Sequence, residues 1–87
     1  MTVYVDDARN KLGRMLMGHM ISESLDELHQ MAADIGMKRE WFQDSENHPH
    51  YDVSVERRRR ALALGAQQIT SREAVRLLRV WRLRAEK

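Results

Sequence analysis

The spacing of apolar positions changes several times along the chain, and each change marks an element. Thr2 to Asp6, centred on Val3-Tyr4-Val5, is rich in β-formers and predicts a first strand that runs into Asp6-Asp7. Ala8 to Gly13 is polar, with Asn10 and Gly13 as turn residues, and is expected to be a connection. Arg14 to Ile21 predicts a second strand. In an extended chain Met15, Met17, His19 and Ile21 share one face, and Arg14, Leu16, Gly18 and Met20 the other. With both faces mostly apolar, it reads as a central strand covered on two sides. Its methionines also suit an adaptable binding surface, but core packing is the simpler use.

At Ser24 the period becomes helical. Ser24 and Glu27 have the spacing of a capping box, Leu25, Leu28, Ala32 and Ile35 form one stripe, and Gly36 stands where a left-handed cap is expected. His29 lies at the edge of the stripe and reads as a surface histidine. Met37 to Gln43, with Trp41-Phe42, predicts a short third strand. Asp44 to Pro49, holding the one proline, predicts a loop, and Tyr51 to Val53, entered from His50, a fourth strand. Ser54 is placed to cap a second helix over Val55 to Leu64, which Gly65 ends. Gln67 to Ile69 is a short strand or extended link. Thr70 and Glu73 form a second capping box. They open a third helix to about Arg84, with Ala74, Leu77, Leu78, Trp81 and Ala85 as its stripe. The order β-β-α-β-β-α-β-α implies an α+β fold, a small mixed sheet packed with three helices. At 87 residues it is one domain, 1–87.

Composition narrows the classes. There is no cysteine, hence no disulfide framework and no thiolate chemistry. No apolar run approaches the length of a membrane span, and no basic-then-apolar leader opens the chain; a cytoplasmic protein with no membrane partner is expected. The net charge of +2 conceals an asymmetry. Residues 1–53 carry ten acidic and five basic side chains, and residues 54–87 carry three acidic and ten basic. Such segregation steers an anionic partner to one surface, or lets two copies dock acidic half to basic half. A homodimer is expected, because so small a chain gains stability by burying more surface.

Polar residues stand where a small domain would ordinarily place apolar ones, and this costs stability unless they are paired or used. Asp6-Asp7 ends a strand. Paired carboxylates there suit an oxygen-preferring ion such as Mg²⁺ or Mn²⁺, although Asp also stops strands by favouring turns. His50 and Asp52, two apart in an extended segment, share a face and are able to reach one metal, or to pair as base and orienting carboxylate. Arg57 to Arg60 open the second helix, where an anion meets free N–H groups and an arginine fork. Arg72, Arg76 and Arg79 make a basic stripe on the third helix, suited to a nucleic-acid backbone or simply to solvent. No nucleophile elbow, phosphate-loop glycine pattern, spaced zinc motif or RNA-binding signature occurs. The few aromatics supply no platform for stacking single strands.

Tyr4-Val5-Asp6-Asp7, Gly13-Arg14-Met15 with His19-Met20, Trp41-Phe42-Gln43, His50-Tyr51-Asp52 and Gly65-Ala66 follow one another in the chain. In that order they resemble a small domain family of unknown function found in bacteria and their phages, over Val3 to about Arg79. The resemblance implies a free-standing domain and singles out Asp6, Asp7, Arg14, His19, His50, Tyr51 and Asp52. The chain departs from the pattern by a longer polar loop, Asp44 to Pro49. The phage connection implies a protein that inhibits or redirects host machinery, an anti-defence role for instance.

Three functions follow. The first is a binding module for a phosphorylated small ligand, most plausibly a nucleotide or nucleotide signal. Arg14 and one or two of Arg57 to Arg60, Arg57 and Arg58 foremost, would hold its phosphates, and His19, His50 and Tyr51 would line the pocket. The second is a metal-dependent phosphodiesterase or nuclease, with Asp6, Asp7, His50 and Asp52 around the ion and His19, with His50, as acid or base. The third is a protein-interaction domain docking an acidic partner through its basic helices. Arginines outnumber metal ligands in this pattern, so the first is the expectation.

Overall fold

The computed structural model describes residues 2–45 and 48–85. Six strands and three helices follow in the order β1 (Val3–Val5), β2 (Asn10–Leu12), β3 (Met15–Ser22), α1 (Leu25–Asp34), β4 (Gln43–Ser45), β5 (His48–Ser54), α2 (Val55–Ala63), β6 (Gln67–Gln68) and α3 (Ser71–Ala85). The protein is α+β, a mixed six-stranded sheet with three helices. Among the described residues no helix is long and apolar enough to cross a membrane.

The sheet runs β4-β5-β3-β1-β6, with β2 beside β3; every pair is antiparallel except β1 with β6. The two-sided apolar run is central in the sheet, but only its second half is covered: Met20 and Ile21 are buried, whereas Met15 and Leu16 are exposed. β3 pairs β5 along one edge and β1 followed by β2 along the other. The expected connection Ala8–Gly13 contains β2. It folds back on β3 through a two-residue turn in which Gly13 takes φ 63°, the positive φ that a tight hairpin turn needs.

Two other segments differ from the sequence reading. The expected strand Met37–Gln43 is a single 3-10 turn, Arg39–Trp41, and extended structure starts only at Gln43. The expected loop Asp44–Pro49 is largely paired, Asp44 with Pro49 and Ser45 with His48. Its residues Glu46 and Asn47 lie outside the described residues. Ladder hydrogen bonds from a neighbouring strand hold these polar residues extended, an effect that local propensity does not register.

Alternation along the strands sends two sets of side chains to opposite faces. Val3, Val5, Met20, Tyr51 and Val53 join Leu28, Ala32 and Ile35 of α1 and Ala61 of α2 in the buried core. The opposite face carries Tyr4, His19, Ile21, His50 and Asp52, and α3 lies over it. This helix is tied at both ends. Asp7 Oδ1 accepts the backbone N–H of Ser71 at 2.9 Å and its hydroxyl at 3.0 Å. At the far end Trp81 meets Tyr4 with ring centroids 6.0 Å apart, and Arg84 pairs Glu23 at 2.8 Å. Of the stripe expected on α3, Ala74 is buried, Leu77, Leu78 and Trp81 are half-buried and Ala85 is exposed, while Val75, Val80 and Leu83 outside it face solvent.

The helix starts follow the caps read from the sequence. Ser24 Oγ accepts the N–H of Glu27, and Ser54 Oγ that of Arg57. Thr70 and Glu73 form the full reciprocal box at 3.0 and 3.1 Å. Gly36 and Gly65 take φ 82° and 108° beyond α1 and α2.

Tyr51 is fully buried, and its hydroxyl reaches His29 Nδ1 at 2.7 Å, so His29 is not the surface histidine its position suggested. Burial, then the charge of Arg39, holds the His29 pKa below its ordinary value despite Asp26. This favours the neutral ring, which shares one hydrogen bond with the tyrosine hydroxyl. Tyr51→Phe should therefore cost about 1 kcal/mol, a fall in Tm of roughly 4–8 °C for a domain of this size. Thermal unfolding followed by circular dichroism checks this.

Candidate functional site

The site begins as an interruption in the ladder. Val5 pairs Met20 and Asn10 pairs Met17, so four residues, Asp6 to Arg9, face only two, Gly18 and His19. The extra residues bulge from the sheet, as bulges near functional sites do. Asp6 takes over the missing pairing with its side chain. Its backbone N–H donates to the His19 carbonyl at 3.0 Å, and its Oδ1 accepts the His19 N–H at 2.8 Å and the Ala8 N–H at 3.2 Å. Oδ2 accepts from His19 Nδ1 at 2.8 Å. Arg58 of α2 donates its Nε–H to the Asp6 carbonyl at 2.9 Å and holds the bulge from the other side.

Gly18 makes this possible. A Cβ there would stand 3.0 Å from the Ala8 carbonyl and 3.1 Å from Asp6 Oδ1. A glycine inside a strand often marks such a close approach, so the dipeptide Gly18-His19 was a signal available in the sequence.

On β5, opposite, Asp52 pairs His19 across the sheet. Its Oδ1 lies 3.3 Å from His50 Nε2 and 4.0 Å from His19 Nε2. Gln43 of β4 donates to its Oδ2 at 2.5 Å. The rings of His19 and His50 meet edge to face, 5.4 Å between centroids. His50 Nδ1 is bonded to the carbonyl of His48. Both Nδ1 partners, the Asp6 carboxylate and the His48 carbonyl, only accept, so each Nδ1 carries a hydrogen. In the neutral rings both Nε2 atoms then carry lone pairs, each within 4.0 Å of Asp52 Oδ1. Ligand atoms of His19, His50 and Asp52 all lie within 4.8 Å of one another. Three electron-pair donors this close together are able to share a cation, a proton or a metal ion.

The two partners of the Asp6–His19 pair shift in opposite directions. Burial pushes the Asp6 carboxyl up. The hydrogen bonds from the His19 ring and N–H, with the ring's charge and the Ala8 N–H, outweigh it and hold the group below its ordinary value. The hydrogen bond to Asp6 raises His19 above its ordinary value, against desolvation and with help from the charges of Asp6 and Asp52.

The structure brings together Asp6, His19, His50 and Asp52, and leaves the other candidates elsewhere. Asp7 points away from Asp6, as adjacent residues do, and caps α3. Arg14 sits exposed in the β2–β3 turn. Tyr51 points into the core, on the face opposite His50. Arg57 lies over the ring of Trp41 at 5.3 Å, and Arg58 reaches the site only through the Asp6 backbone. Gln43 and Gly18, which support the cluster, were not among the candidates. Gln43 became a neighbour of Asp52 only through the β4–β5 pairing.

Fold and site together define a small α+β protein with a histidine–carboxylate cluster on its central strands. The chain belongs to the family described as Protein of unknown function (DUF4031), whose model matches residues 3–81. Comparison with curated proteins and with solved structures finds no match.

Two outcomes are expected. Gly18→Ala should press Asp6 off His19, lowering stability by about 1–3 kcal/mol and moving the His19 pKa back toward 6.5, read by denaturation and by NMR titration of the ring. For the metal-free protein, the raised His19 pKa gives stabilisation that is complete below 6.5 and lost as pH rises through the folded value. The lowered Asp6 pKa gives stabilisation present above 3.8 and lost as pH falls through the folded value. Tm in EDTA should thus be highest between those limits, and His19→Gln should remove the alkaline decline.

Proposed function

We propose that His19, His50 and Asp52 hold one divalent first-row metal ion, and that the protein uses it to hydrolyse a phosphoester. The observation that carries this reading is the inward convergence of two Nε2 atoms and one carboxylate oxygen, with both Nδ1 atoms already committed. Histidine ligands in metal sites characteristically donate the other ring N–H to a carboxylate or a carbonyl, which fixes tautomer and orientation. Asp6 and the His48 carbonyl are placed to do this. A donor set of two imidazoles and one carboxylate suits Zn²⁺, Mn²⁺ or Fe²⁺ better than Mg²⁺. Three protein ligands leave coordination positions for water and substrate.

A bound ion would supply a water acidic enough to attack at neutral pH and a charge to polarise the phosphoryl oxygen. Asp6 keeps the His19 ring in its tautomer, and Gln43 holds Asp52 so that Oδ1 faces the imidazoles. The phosphorylated substrate is favoured by the arginines of α3, the helix over this face, whose positive field attracts anions. The reading expected from the sequence, a nucleotide held by Arg14, Arg57 and Arg58 without a metal, has less support. None of the three side chains lines the cluster, which itself contains two carboxylates.

Calorimetric titration with Zn²⁺, Mn²⁺ and Mg²⁺ should find one site per chain, with Mg²⁺ the weakest. His19→Ala, His50→Ala and Asp52→Ala should each remove it. Asp6→Asn, which can no longer accept the Nδ1–H while also accepting the His19 N–H on its oxygen, should lower affinity about 10- to 100-fold. Turnover of bis(p-nitrophenyl) phosphate should follow metal occupancy and vanish in EDTA. Folded protein that binds no transition metal would defeat the proposal.

A further inference from the structure

Beside the cluster, between the sheet and α3, is a cavity of about 280 Å³. We infer that this cavity is the substrate chamber of the metal centre, and that it takes a small phosphoester with one compact apolar group, such as an aryl phosphate. The inference rests on the metal reading above and adds the class of substrate.

The chamber has a polar end and an apolar body. His19 and His50, two of the three inward-facing donors, belong to its wall, with Asp6 beside them. A molecule inside therefore has one end at the ion. The rest of the wall is mainly hydrocarbon. Ile21 forms the floor on the sheet, and Ala74, Val75 and Leu78 form the roof on α3. Asn10, Ser71 and, at the opening, His48 are the further polar residues lining it, and the Ser71 hydroxyl already donates to Asp7. A sugar or a peptide would leave several polar groups without partners there, whereas an apolar ring or short alkyl group would not.

The volume sets the size. It lies just below the usual range for small-molecule pockets. The roof sets the shape. α3, fastened at Ser71 and again at Trp81 and Arg84, closes one side of the chamber above the histidines. Ala74 is the position where the space depends on a small side chain. It is buried and lines the chamber, so an aromatic ring substituted there would occupy the volume that the apolar group needs. Val75, more than half exposed, and exposed His48 mark the opening to solvent.

The test uses non-hydrolysable phosphonates on the Zn²⁺-loaded protein, with Zn²⁺ affinity measured separately on every variant. Phenylphosphonate should bind about tenfold or more tightly than methylphosphonate, the discrimination expected when a hydrocarbon group fills an apolar pocket. Ala74→Phe should abolish that preference while keeping Zn²⁺ affinity. Leu78→Ala, which enlarges the chamber instead, should shift preference toward 1-naphthylphosphonate and serves where the filled variant does not fold. Equal affinity for methyl- and phenylphosphonate on protein that binds Zn²⁺ would overturn this inference alone. Displacement of phenylphosphonate by a short thymidine oligonucleotide at matching concentration would overturn it in favour of a nucleic-acid substrate. Wild-type protein that binds no Zn²⁺ would overturn the metal reading and the chamber with it.

Discussion

The Asp6 carboxylate is the group on which the rest of the arrangement depends. It is 2% exposed, and a charge so buried is costly unless it is paired and fully hydrogen-bonded. Here two backbone N–H groups and one imidazole N–H satisfy it. That single requirement explains several features together. The ladder breaks between β1 and β2 because the side chain replaces a backbone carbonyl opposite His19. Gly18 has no side chain because the carboxylate and the Ala8 carbonyl occupy the space where one would be. His19 shows its Nε2 to the sheet surface because Asp6 holds its Nδ1.

The two faces of the sheet divide the labour. One is a close-packed apolar core against α1 and α2, crossed by the Tyr51–His29 hydrogen bond. The other is polar at its centre and covered by a helix fastened only at its ends. A domain of this size has little surplus stability to set against buried polar groups. The cluster is affordable because its members satisfy one another and because the core face of the same strands is built mainly of hydrocarbon from Val3, Val5, Met20, Tyr51 and Val53, with the Tyr51 hydroxyl paired to His29.

Charge explains why a metal ion fits this surface better than a bare phosphate. Two carboxylates converge with two imidazoles, and the long arginines that would otherwise offset them are engaged elsewhere: Arg57 over Trp41, Arg58 on the Asp6 carbonyl, Arg59 and Arg60 with Glu56. A divalent cation balances the carboxylates and satisfies the inward-facing lone pairs. On the proposed reading, the basic surface of α3 would act at longer range, by attraction rather than by contact.

Several features were already legible in the order of residues. Caps at Ser24, Ser54 and Thr70, glycines beyond α1 and α2, the two-sided character of β3 and the shared face of His50 and Asp52 are all local. Each depends on residues within a turn or two of each other, so period and capping chemistry reveal them. Tertiary structure decided the rest. Nothing local states that Asp52 lies across from His19, that the four residues between β1 and β2 would face only two of β3, or that mostly polar Asn10–Leu12 and Gln43–Ser45 would be held as strands by their neighbours. The same holds for the arginines, Tyr51 and His29. A helix can turn Arg57 toward Trp41 or toward a ligand, and a strand can turn Tyr51 inward or outward. The choice is made by which apolar face is buried and by the register of pairing, both of which are interactions between distant segments.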